Sequence, residues 1–424
     1  TWRPPGNAFR EPSPEGLGRV LSSVVAQDPG PFAVEAKRFR GLDPTYVRAV
    51  LSGLRDGLKQ GRAFDWEPVL DLCEWVLSQP REILGRQLGE ETEVDPDWGW
   101  TRKAIADLLS VGFEERPGGI AIGLRQRVWG ILKPLTDDSD PTPEYEDRYG
   151  GSNMDPLTLS INTTRGEAMH AVIRYALWVR RHLEKEPKEE ESLKRGFNEM
   201  PEVREVLEGH LDPVRDPSLA IRAVYGQWFP WLVFLDSEWA GAHAAGIFPV
   251  GQGDEAFFEA AWNTYVVFCR PYDNAWEILR PQYRYAVERI GARRDDTRWL
   301  ANPDEKLAEH LMVFYSRGKL SLDDPLLATF WKNAPDGLRG HALAFVGRGL
   351  KQTEGGTTAE ILDRLKQLWE LRLATAKKAQ QLSDFEKEMA AFGWWFVSGK
   401  FDVDWAIAQL SGSLRLAYKS DPDH

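Results

Sequence analysis

The chain has 424 residues, 42% of them hydrophobic and 28% charged, a balance that excludes a disordered polymer and gives enough apolar side chain for a large core. Its formal charge of −12 argues against broad attraction to phosphate backbones or anionic membranes, both of which need clustered Lys and Arg. Cys73 and Cys269 are too few for a disulfide scaffold or a thiolate metal site; both lie in apolar runs and fit a reducing compartment, the cytoplasm.

No stretch reaches the ~18 consecutive apolar residues of a membrane span, and the most apolar run, residues 228–235, contains Pro230. The first residue is Thr1 and not Met, which reads as a fragment of something longer, with catalytic modules expected upstream.

Helical signals recur along the whole chain, and convincing period-2 strands are few. At Asp43-Pro44, Asp216-Pro217 and Asp324-Pro325 the Asp can cap a helix whose first residue is Pro, where the missing N–H costs nothing. From Asp65, the residues Trp66, Val69, Leu70, Cys73, Val76 and Leu77 share one helical face. Pro117-Gly118-Gly119 suits a β-turn and lacks the strand–helix context of a dinucleotide site. Residues 136–160, with Asp137, Asp138, Asp140, Glu144, Glu146 and Asp147 among Pro and Gly, read as a long acidic loop.

Thr164 and Glu167 have the spacing of a capping box that opens a long helix. Glu167, His170, Arg174 and Arg181 form its narrow polar stripe, and the remaining circumference is apolar enough to be packed between neighbours. The Lys/Glu run at 184–194 reads as a solvated helix end or linker. Further capping boxes stand at Thr357 with Glu360 and at Ser383 with Glu386.

Internal repetition is weak but visible: Arg165-Gly166-x-Ala168 returns as Arg339-Gly340-x-Ala342, and residues 216–224 carry an Asp-Pro then Ile-Arg-x-Ala pattern of HEAT type. These features predict an all-α chain, a degenerate HEAT/TPR-like helical-repeat solenoid. Its parts are N-terminal repeats over 1–135, the acidic Pro/Gly loop over 136–160, Trp-rich central repeats over 161–300 and C-terminal repeats over 301–424.

Chemistry finds little purchase. Gly318-Lys319 and Gly399-Lys400 are followed by Leu320 and Phe401, not by the Ser or Thr that a Walker A loop uses on magnesium. The seven histidines are scattered, so His170 and His341 read as polar-face or cap residues and no metal is expected. Catalytic, cofactor-binding and metal-ligating residues are therefore expected to be none, and this chain alone is not expected to be an enzyme. Arg165 and Arg339 read as partners of acidic groups on a neighbouring repeat.

Eighteen tryptophans are the most unusual feature, concentrated at Trp228, Trp231, Trp239, Trp262 and Trp276 and again at Trp394, Trp395 and Trp405. Most are expected to fill seams between helices, and a few to line a recognition surface with Arg and Tyr.

Two segments carry a family resemblance. Asp155-Pro156-Leu157-Thr158-Leu159-Ser160-Ile161-Asn162-Thr163-Thr164-Arg165-Gly166-Glu167-Ala168 resembles an Asn-[Ser/Thr]-x-Arg-Gly-x-Ala segment in the helical C-terminal regions of large bacterial antiviral proteins of the STAND NTPase class. Phe229-Pro230-Trp231-Leu232-Val233-Phe234-Leu235-Asp236, with Glu238-Trp239-Ala240 and Ile247-Phe248-Pro249 after it, resembles a second segment there. The resemblance spans roughly residues 95–350. It implies the sensor part of such a protein: repeats that bind a phage protein, after which an NTPase core assembles into an oligomer and switches on an effector. A defence protein with another effector, such as an NAD-cleaving sirtuin-like domain, is equally compatible. The expected partner is thus a protein, with no membrane and no nucleic acid. The alternatives are a HEAT-like nucleic-acid-binding or base-processing protein, and a structural scaffold subunit.

Overall fold

The computed structural model describes residues 13–86, 94–150, 154–185, 196–291, 301–353 and 357–417. Among them every regular element is helical, so the chain is all-α, as its periodicity predicts. It divides into two compact units, Thr1–Ile247 and Phe248–His424.

The first unit comprises α1 (Pro14–Gln27), α2 (Pro29–Val34), α3 (Pro44–Lys59), α4 (Trp66–Ser78), α5 (Gly99–Gly112), α6 (Arg125–Thr136), α7 (Pro143–Gly150), α8 (Pro156–Ile161), α9 (Thr164–Lys185), α10 (Pro201–Leu211), α11 (Leu219–Leu235) and α12 (Ser237–Ile247). Its longer helices form a consecutive row, α1 on α3, α3 on α5, α5 on α9 and α9 on α11, while α2, α4 and α6 form a second row against them. Close approach within the first row depends on small residues. A Cβ on Gly53 of α3 would lie 2.6 Å from the Ser22 carbonyl oxygen of α1, so no larger residue fits that crossing.

The second unit comprises α13 (Glu255–Phe268), α14 (Asp273–Glu288), α15 (Pro303–Ser316), α16 (Pro325–Asn333), α17 (Asp336–Gln352), α18 (Ala359–Lys378), α19 (Glu386–Ala390), α20 (Phe392–Val397) and α21 (Val403–Leu414). Here α13 packs on α15, α15 on α17, and α17 on α19 and α20. Its core is aromatic: the rings of Trp262 and Tyr283 meet edge to face at 4.9 Å, and those of Trp276 and Phe314 stack at 4.4 Å. Tyr283 and His310 are paired inside that core. Tyr283 Oη lies 2.8 Å from His310 Nδ1, and His310 Nε2 lies 3.0 Å from the Cys269 carbonyl oxygen, so the ring donates at one nitrogen and accepts at the other. Burial holds His310 neutral, its pKa pushed down to about 4.

Several helix starts follow local capping rules. Thr45 N–H donates to Asp43 Oδ1 at 3.0 Å, Leu326 N–H to Asp324 Oδ1 at 2.9 Å, and Asp65 caps α4, whose buried face includes Trp66, Val69, Leu70, Cys73 and Val76. Asp216 departs from its expected role as a helix cap. Ser218 caps α11 instead, and the Asp216 carboxylate turns inward to His210 Nδ1 at 2.6 Å. The Thr164–Glu167 box also fails to form: Thr164 Oγ1 donates to the Gly99 carbonyl at 3.1 Å, and the Glu167 side chain faces α5. Thr358, not Thr357, caps α18, and α19 opens at Glu386 with no side-chain cap.

The reading of residues 136–160 as an acidic loop is wrong, because α7 and α8 lie within it. Its carboxylates are acceptors for donors distant in sequence. Asp138 is buried and accepts from Arg81 Nε at 3.1 Å and Arg102 Nη1 at 3.2 Å; Asp140 accepts the Thr164 N–H at 2.8 Å; Glu146 accepts the Leu219 N–H at 3.0 Å. The division between the two units falls at 247/248, away from the boundaries expected near 136–160 and 300. Most of the 184–194 charge run lies outside the described residues.

Candidate recognition surface

Helical spacing places Trp100, Lys103 and Asp107 on one stripe of α5, Glu167, His170 and Arg174 on one stripe of α9, and Trp228, Trp231 and Phe234 on one stripe of α11. Contacts across the row join these stripes into one band. Arg48 of α3 lies 5.6 Å from the centre of the Trp100 ring, its guanidinium held by Asp95 (2.8 Å from Nε) and Glu15 (2.6 Å from Nη2). Asp107 accepts from Arg55 of α3 at 3.3 Å and from Lys103 at 3.2 Å. Ser110 Oγ reaches Glu167 Oε1 at 3.4 Å, and Arg174 lies 5.4 Å from the centre of the Trp228 ring while bonding Glu114 at 2.9 Å. Arg180 stacks 4.1 Å over Phe234, whose ring meets that of Trp231 edge to face.

Exposure decides which of these groups can meet a partner. Trp100 is 53% exposed, Trp231 46% and Phe234 45%, unusual values for side chains of that size. Beside Phe234 the band opens into a cleft of about 430 Å³ lined by Arg180, Asn198, Arg204, Phe234, Trp239 and His243.

Beneath the band, burial shifts the titration of two groups. Burial, with Asp107 beside it, pushes the Glu167 carboxyl up to about 7 against the opposing pull of Lys103 and Arg174. The expected place of His170 on a polar stripe is corrected: it is buried, and desolvation followed by Arg174 and Lys103 pushes its pKa down to about 3. Trp228 Nε1–H donates to His170 Nδ1 at 2.7 Å, so the ring proton sits on Nε2 and points at Ser160 Oγ, 2.9 Å away. Ser160 in turn donates to the Leu157 carbonyl at 2.7 Å. A histidine that donates to a serine cannot take its proton, so this buried pair is packing and not a nucleophile with its base.

Other residues singled out in the sequence are also occupied within the fold. Arg165 donates to the Pro141 carbonyl at 2.9 Å and lies 3.5 Å from Asp216; Arg339 donates to the Ala334 carbonyl at 2.6 Å and pairs with the buried Glu388. His341 Nε2 lies 3.0 Å from Glu309. The Cys73 thiol is pushed up to about 12 by burial, far from a reactive thiolate.

No protein-family model, curated protein or solved structure matches the chain. The band therefore has to be read from its own residues. Of the tryptophans concentrated in sequence, Trp239, Trp262, Trp276 and Trp395 fill the core, Trp228, Trp394 and Trp405 are half-buried, and Trp231 is exposed. Trp100 stands apart from both sequence clusters, yet it is the most exposed tryptophan of the described residues. Its signal was its neighbours: Lys103 and Asp107 follow it on the solvent side of a helix whose other face carries Thr101, Ala104, Ile105 and Leu108.

Proposed function

We propose that this chain is a protein-recognition module built as a helical-repeat solenoid, the ligand-sensing region of a bacterial antiphage defence protein, with a phage protein as its ligand. The single observation that supports it most is the band of exposed Trp100, Trp231 and Phe234 flanked by Arg48, Arg174 and Arg180 on successive helices of the first unit. Trp and Arg are the side chains that dominate binding energy at protein interfaces, and here the arginines are already oriented by ion pairs, so little rotamer entropy is lost on contact. The resemblance of residues 155–168 and 229–249 to sensor regions of STAND NTPase proteins supplies the biological setting. In that setting the chain works in the cytoplasm, and the larger protein that contains it oligomerises when ligand binds.

The test is capture with the chain as bait from phage-infected and uninfected bacterial lysates, read by mass spectrometry. A phage protein is expected to be enriched after infection alone. Its affinity should fall about 30-fold or more with Trp100→Ala or Trp231→Ala, from a hot-spot loss of about 2 kcal/mol each, while the helical circular dichroism is unchanged. Recovery of nucleic acid, or of a host protein whether or not phage is present, would sink the proposal.

A further inference from the structure

We draw no further inference here: the strongest candidate, the cleft beside Phe234 lined by Arg180, Arg204, Trp239 and His243, belongs to the recognition surface already described, and its two arginines are matched by Glu184 and Glu208, so nothing in the structure shows what fills it.

Discussion

Burial raises the pKa of Glu167 and lowers that of His170, less than one turn apart on α9, and the two pull stability in opposite pH directions. In the unfolded chain Glu167 loses its proton near its ordinary value of 4.5, but in the fold it holds it to about 7. Between those values the unfolded state binds fewer protons, so this residue's contribution is full below pH 4.5 and is lost as pH rises through 7. His170 behaves conversely: the unfolded ring gains a proton below 6.5 and the folded ring only near 3, so its contribution is lost as pH falls through that window. Glu167→Gln keeps a neutral polar group of the same shape and removes the titration. The stability difference between wild type and variant, from urea unfolding, should therefore shift in favour of the variant as pH rises from 4.5 to 7. A difference that stays flat across that window would show that Glu167 is ionised in the fold.

At the scale of elements, the repeated Arg-Gly-x-Ala sequence marks a packing device. Gly166 and Gly340 both sit where a Cβ would collide with backbone, 2.1 Å from the Ser160 carbonyl oxygen of α8 and 2.7 Å from the Lys387 carbonyl oxygen of α19. The preceding Arg165 donates to the Pro141 carbonyl and Arg339 to the carbonyls of Ala334 and Asp384, and Ala168 and Ala342 are fully buried. One helix gives a contrast. Gly340→Ala should destabilise by about 1–3 kcal/mol through overpacking, whereas Gly349→Ala, nine residues on in α17 and with nothing within 4 Å of its added Cβ, should stabilise by about 0.5–1 kcal/mol through helix propensity. Chemical denaturation of the two variants should move the midpoint in opposite directions; two shifts of the same sign would refute this account. The device was legible as a repeated pattern, because glycine demanded by close approach recurs wherever the same crossing recurs. Caps at Asp43 and Asp324 were legible too, since the donor lies two residues from the acceptor. Asp138, Asp140 and Glu146 were not: their donors Arg81, Thr164 and Leu219 are far along the chain, and a carboxylate that caps a distant helix looks in sequence like a solvated loop residue. The tryptophan band was half legible for the same reason. The sequence offers the aromatic residues, but which face of each helix is left open depends on the order in which the helices stack.

At the scale of the molecule, the division into two compact units bears on how the chain unfolds. In the second unit Glu388 is fully buried and accepts from Arg339 of α17 and from Arg372 of α18, with Arg372 Nε at 2.6 Å; Arg372 also lies 4.5 Å from the centre of the Trp331 ring. One carboxylate thus ties three helices, α17, α18 and its own α19, and is shared by two buried cations, of which Arg339 also lies 3.8 Å from Asp336. Glu388→Ala leaves the buried Arg372 guanidinium without its counter-charge and Arg339 with only the more distant Asp336, at a cost of about 3–5 kcal/mol, a large share of the ~5–15 kcal/mol that holds a domain folded. Units with separate cores need not melt together. Calorimetry of the wild-type chain should therefore resolve two transitions, and Glu388→Ala should lower one of them while the other keeps its midpoint and enthalpy. The unmoved transition belongs to the first unit, so it should be the one that Glu167→Gln changes with pH. A single transition shifted as a whole by both variants would mean that the two cores fold as one cooperative body.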